Sequence, residues 1–76
     1  MISLNQLQVG ESARVLAMRG LKRAHRHQLA VLGLKKDRVI KVKKVSPLGD
    51  PFCLEVGGAV LVLRKAECED IIVEKI

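Results

Sequence analysis

Apolar and polar residues alternate along much of the chain. From Val39 to Val45, Ile40 and Val42 fall on one face and Lys41 and Lys43 on the other, the period of a half-buried strand. Phe52, Leu54 and Val56 repeat the pattern, with Cys53 and Glu55 opposite. Glu11 to Met18 sets Ala13, Val15 and Ala17 against Arg14, Leu16 and Met18, which predicts an earlier strand. Ala59 to Leu63 is apolar on both faces, as expected of a strand covered on one side by the core and on the other by helices or a partner. Ile71 to Val73 reads as the last strand.

The segments between these runs carry turn and helix signals. Ser46-Pro47-Leu48-Gly49-Asp50-Pro51 concentrates two φ-fixing prolines, a glycine free to take positive φ and an aspartate able to bond its own backbone. It predicts a shaped corner between antiparallel strands. Gly57-Gly58 between two apolar runs predicts a tight hairpin of the primed type. Ser3 and Gln6 have capping-box spacing and open a short helical turn ended by Gly10, with Leu4 and Leu7 facing the core. Gly20 to His27 is basic and irregular, whereas His27 to Leu32 places Leu29 and Leu32 three apart, with Ala30 beside them and Gly33 as a C-terminal cap, predicting a short helix. Lys35-Lys36-Asp37 reads as a turn in which Asp37 tolerates a left-handed conformation. Lys65 to Asp70 reads as one helical turn.

Five short strands and two small helical pieces predict a mainly β fold in the form of a small open barrel, which limits exposed sheet edges. Val15, Ile40, Val42, Leu54, Leu61 and Leu63 are its expected core. The 76 residues suffice for one domain with one small core. Hydrophobic residues make up 49% of the chain and Phe52 is the only aromatic, so aliphatic side chains must fill the interior. No apolar run approaches the roughly 18 residues needed to span a bilayer, and Met1 to Gly10 lacks the basic and apolar regions of a secretory signal. These features predict a cytoplasmic, soluble protein in which Cys53 and Cys68 are unpaired, mostly buried thiols.

Charge divides the chain unevenly. Arg14 to Lys44 holds eleven basic residues against Asp37 alone, a net of +10, within an overall charge of +6. Such a segment attracts phosphate, anionic headgroups or an acidic protein surface. Single-strand readers of this size rely on aromatic platforms for base stacking, and one phenylalanine is a poor supply. No nucleophile with a His and acid framework, no catalytic carboxylate pair and no phosphate loop is present, so no enzyme is expected. His25 and His27 would ligate together only on an extended strand, because on a helix they point about 200° apart. No Cys-x-x-Cys spacing accompanies them, and no resident metal or cofactor is expected.

Leu29, Leu32-Gly33-Leu34, Val39-Ile40, Pro47-Leu48-Gly49-Asp50-Pro51, Val56, Gly58, Leu61, Leu63-Arg64 and Ile71 together give the chain a pattern that resembles the FeoA family, small cytosolic proteins of ferrous-iron uptake. The resemblance spans nearly the whole chain and is most specific at the Pro-Leu-Gly-Asp-Pro corner and the Leu-Gly-Leu turn. It implies an SH3-like five-stranded barrel with two short helical segments, acting as an accessory to FeoB, the membrane permease with a cytosolic G-protein domain. Any membrane association would come through that partner. Departures from the family pattern are Asp37 and Cys68, where glycine and alanine are common, and the extra glycine of Gly57-Gly58. A similar module ends the DtxR-type metal-dependent repressors, but no helix-turn-helix precedes it here to carry DNA recognition.

Three functions follow as expectations: a protein-interaction module acting on the permease, an SH3-like binder of nucleic acid through the basic half, and an iron chaperone, which would need converging ligands. The aromatic deficit and the resemblance favour the first. Its docking surface is expected on Gly20 to Leu34 and the facing corner, with Arg23 and Arg26 on a basic rim, Leu29, Leu32 and Leu34 as the apolar centre, and Leu48, Gly49, Asp50 and Pro51 beside them.

Overall fold

Six antiparallel strands and two short helices form the computed structural model, which describes residues 1–76. In chain order they are β1 (Ile2–Ser3), a 3-10 turn (Leu4–Gln6), β2 (Ser12–Met18), α1 (Arg23–Val31), β3 (Val39–Val45), β4 (Phe52–Val56), β5 (Ala59–Leu63), α2 (Lys65–Glu69) and β6 (Ile71–Lys75). The strands lie in the order β1-β6-β2-β3-β4-β5. The sixth strand beyond the five expected is β1, which pairs Ile2 with Val73 and Ser3 with Ile72. Two residues are too few to show a period.

Alternation places the core as expected. Val15, Ile40, Val42, Leu54, Leu61 and Leu63 are all buried, joined by Leu4, Leu7, Ala13, Phe52, Val56, Ile71 and Val73. The alternation shifts at two bulges, between Val15 and Ala17 and between Val42 and Lys44. An extra residue reverses which side chains point inward and bends the strand. Beyond the first bulge Met18, expected on the outer face, packs against the core; beyond the second, Lys43 and Lys44 are both exposed and Val45 turns back towards it.

The sheet does not close by hydrogen bonds, because β1 and β5 each have one unpaired edge. Helix α2 packs on the 3-10 turn and β6 and delivers the fully buried Cys68 to the core. Burial, followed by the nearby carboxylates of Glu67, Asp50 and Glu69, pushes the Cys68 thiol up to about 12. It stays neutral at any physiological pH. Cys53 is half-buried, and neither cysteine is in a disulfide.

Local signals set the turns. Gly57 and Gly58 have φ of +53° and +86° between the paired residues Val56 and Ala59, the double positive φ of a type I′ hairpin. Asp37 has φ of +72°. The Gln6 side chain accepts the Ser3 N–H at 2.8 Å, one arm of the expected capping box.

Helix α1 starts at Arg23, so of the stretch expected to be irregular, Gly20 to His27, the part from Arg23 onwards is helical. Its end is a Schellman motif. Gly33 at φ of +98° donates to Ala30 O at 2.9 Å, and Leu34 donates to Leu29 O at 2.9 Å, the paired bonds that satisfy the last carbonyls of a helix. This geometry brings the residue two past the cap back towards the last turn, which explains why Leu29 and Leu34 are both in the core while Leu32, the cap residue between them, is 53% exposed.

Candidate interaction surface

The corner is fixed at several points. Gly49 N–H donates to Ser46 O at 2.7 Å and Ser46 N–H to Pro51 O at 3.2 Å, closing the loop on itself. Phe52, immediately after it, is a core residue. Asp50 was expected to bond its own backbone; its Oδ1 instead accepts the Lys65 N–H at 3.0 Å, tying the corner to the first residue of α2. On this tethered frame Leu48 is 96% exposed.

Helix α1 reaches the same neighbour from the other side. His25 Nε2 lies 2.7 Å from Glu67 Oε2 on α2, and Glu67 Oε1 accepts the Arg64 N–H at 2.8 Å. One carboxylate thus caps α2 and holds α1 against it. The expected ligand pair is divided by this arrangement: both histidines are on one helix, His25 meets Glu67, and His27 is exposed. No group of three or more His, Cys, Asp or Glu side chains converges where a metal ion could sit.

The expected docking residues therefore separate. Arg23, Arg26, Leu32 and Leu48 are exposed, and Lys22, Lys43, Lys44, Arg64 and Lys65 add exposed positive charge at the start of α1 and of α2 and on the strand entering the corner. Asp50 is exposed but engaged with α2, while Gly49 and Pro51 are half-buried. Leu29 and Leu34 were expected in the apolar centre and are core residues, 5% and 0% exposed, turned inward by the Schellman closure. Val31, 72% exposed on the last turn of α1, is an apolar surface residue not expected from the sequence.

Two shallow depressions lie elsewhere, about 300 Å³ lined by Arg14, Val39, Glu74, Lys75 and Ile76, and about 280 Å³ lined by Met1, Ile2, Ser3, Gln6, Arg19 and Ile72. The first is bordered by an exposed Arg14–Glu74 ion pair at 3.1 Å, a contact of small energy in water. Neither depression includes a histidine or a cysteine. No helix is long and apolar enough to cross a membrane.

A family model for the FeoA domain matches residues 2–75. The structure is similar to the FeoA protein of Chlorobium tepidum, with 33% identity over 99% of this chain and 70% of that one and a TM-score of 0.92. A FeoA-like protein of Clostridium acetobutylicum matches at 29% identity over 99% of this chain and 86% of that one, with a TM-score of 0.84. The Stenotrophomonas maltophilia FeoA, solved with zinc and described as a prokaryotic SH3 domain protein proposed as a ferrous iron transport activating factor, matches at 26% identity over 97% and 91% of the two chains, with a TM-score of 0.81. These likenesses make the architecture SH3-like. No curated protein matches the chain.

Proposed function

The chain belongs to the FeoA family, and on that premise we propose that it is an accessory protein of ferrous iron uptake that docks on the cytosolic G-protein domain of the FeoB permease. The observation that carries this reading is Leu48, almost wholly exposed on a corner tethered to α2. An exposed apolar residue on an ordered loop loses little entropy on binding, and surrounding charge speeds encounter with an acidic surface. Leu32 and Val31 are further exposed apolar residues at the end of α1, and Arg23 and Arg26 are exposed on the same helix.

Two observations weigh against the other roles. Phe52 is buried, so no aromatic ring is available to stack on a nucleic-acid base. The Stenotrophomonas protein was solved with zinc, but here His25 and Glu67 have no third ligand beside them, which favours protein contact over metal carriage.

Calorimetric titration of the permease's G-domain tests the reading. Leu48→Asp and Leu32→Asp should each weaken binding at least about tenfold with the thermal melt unchanged, and Arg23→Glu with Arg26→Glu should slow association and flatten its salt dependence. Unchanged affinity in both leucine variants moves the interface elsewhere.

A further inference from the structure

The free edge of the sheet at β5 lacks the usual protections. Ala59–Leu63 contains no charge, no proline and no bulge, the devices that keep edge strands from pairing with other chains. Leu61 and Leu63 point into the core, whereas Val60 and Val62 are 51% and 63% exposed on the outer face. The strand was expected to be covered outside by helices or a partner, and α1 and α2 leave its valines uncovered.

The backbone is open at the same two residues. In the β4–β5 hairpin Val56 faces Ala59, Leu54 faces Leu61 and Phe52 faces Leu63. With a two-residue turn these are the hydrogen-bonded pairs, so the N–H and C=O groups of Val60 and Val62 point away from β4. None of the backbone bonds made outside the helices and strands involves either residue. Each valine therefore offers an unpaired donor and acceptor beside an exposed apolar side chain.

We propose that this edge pairs with the β5 edge of a second copy, antiparallel, about a two-fold axis at Leu61. Residue numbers facing each other about that axis place Val60 opposite Val62 of the second copy, and Val62 opposite its Val60. Both are then hydrogen-bonded pairs, so all the open groups of both strands are satisfied by four bonds, and the four valines meet on one face. Displacing the register by one residue would oppose an outward-pointing valine backbone to an inward-pointing leucine one, so the two-fold at Leu61 matches this pattern. Charge agrees with the choice: the antiparallel arrangement directs each Arg64 towards the end of the other strand where Glu55 flanks Val60. The opposite edge, β1, is only two residues long and offers little to a head-to-tail contact, whereas the two-fold pairing closes on itself.

A five-residue edge covers less than the roughly 800 Å² per partner of a stable complex, so the dimer is weak and depends on concentration. Sedimentation velocity of the full chain from about 10 μM to about 1 mM should show the mass moving from one copy towards two. Val62→Pro removes only an edge-facing N–H and Val62→Lys places a charge there; both should stay monomeric with a wild-type melt. Amide exchange on the wild type supplies a reading independent of variants: Val60 and Val62 should be protected at high concentration and exchange freely on dilution. A wild type that remains a monomer throughout, a dimer that persists in both variants, or unprotected Val60 and Val62 amides in a dimeric sample would each overturn the proposal.

Discussion

Replacing Asp50 by alanine removes the 3.0 Å acceptor for the Lys65 N–H and detaches the corner from α2. Lys65 N–H is one of the first amides of a helix and has no partner within it, so the loss is comparable to that of a helix cap, about 0.5 to 2 kcal/mol. Asp50 is exposed, so water can replace it on the amide and the value should fall near the middle, about 1 kcal/mol. In a domain of this size that corresponds to a melting temperature lower by roughly 4 to 8 °C. Asp50→Asn keeps an acceptor and should recover part of the loss. Differential scanning calorimetry measures both, and amide exchange should show faster opening at Lys65 and Gly49 in the alanine variant than in the core strands. If Asp50→Ala melts within a degree of wild type and leaves exchange at Lys65 unchanged, the tether contributes nothing and Leu48 is not held by it.

Leu61→Ala should destabilise by about 2 to 5 kcal/mol, since the side chain is buried in the core opposite Leu54; chemical denaturation reads the loss, and a midpoint that barely moves rejects its place in the core. At Gly33, φ is +98° and an added Cβ would meet only ordinary contacts at 3.5 and 3.6 Å, so Gly33→Ala should cost about 1 to 2 kcal/mol through backbone conformation alone, and a neutral substitution by the same measurement contradicts the Schellman closure. Cys68 should resist iodoacetamide in the native state while Cys53 reacts faster, checked by mass spectrometry of the labelled peptides. Because the folded thiol is raised from 9.0 to about 12, its contribution to stability is fully present below the unfolded value and declines as pH rises through that interval; a Cys68→Ala variant should show less of this alkaline loss in pH-dependent melts.

Three of the strands were legible because each has one inward-facing side, the signal carried by Val15, Ile40, Val42 and Leu54 within five or seven residues; β5 was legible as an apolar run, and β1 is too short to show a period. Helix α1 was read only in its second half for the opposite reason: Leu29 is its single buried residue, so the first two turns show no apolar period. Leu34 looked like a surface residue because it follows the helix, and only the reversal at Gly33 carries it inward. The parity changes at the two bulges follow from pairing with neighbouring strands, which local alternation does not encode. At the candidate surface, the exposed tip at Leu48 was accessible from the density of turn residues. The contacts of Asp50 with Lys65 and of His25 with Glu67 were not, because each joins residues brought together by the completed fold.

The position of β6 bears on how the chain is made. It is the last of the six strands to be synthesised, yet it lies between β1 and β2 and pairs with both. Until residues 71–75 have left the ribosome, β1 has no hydrogen-bonded neighbour, and Val15 lacks the cover of Val73 opposite it. A nascent chain ending at β5 would expose two apolar sheet edges at once, the β2 edge awaiting β6 and the permanently open β5 edge, so this interval is when the protein is most exposed to aggregation. Completion of the fold is thus a late, non-local event, slower than helix formation, and a chain truncated before β6 should be protease-sensitive under conditions in which the chain with β6 is resistant.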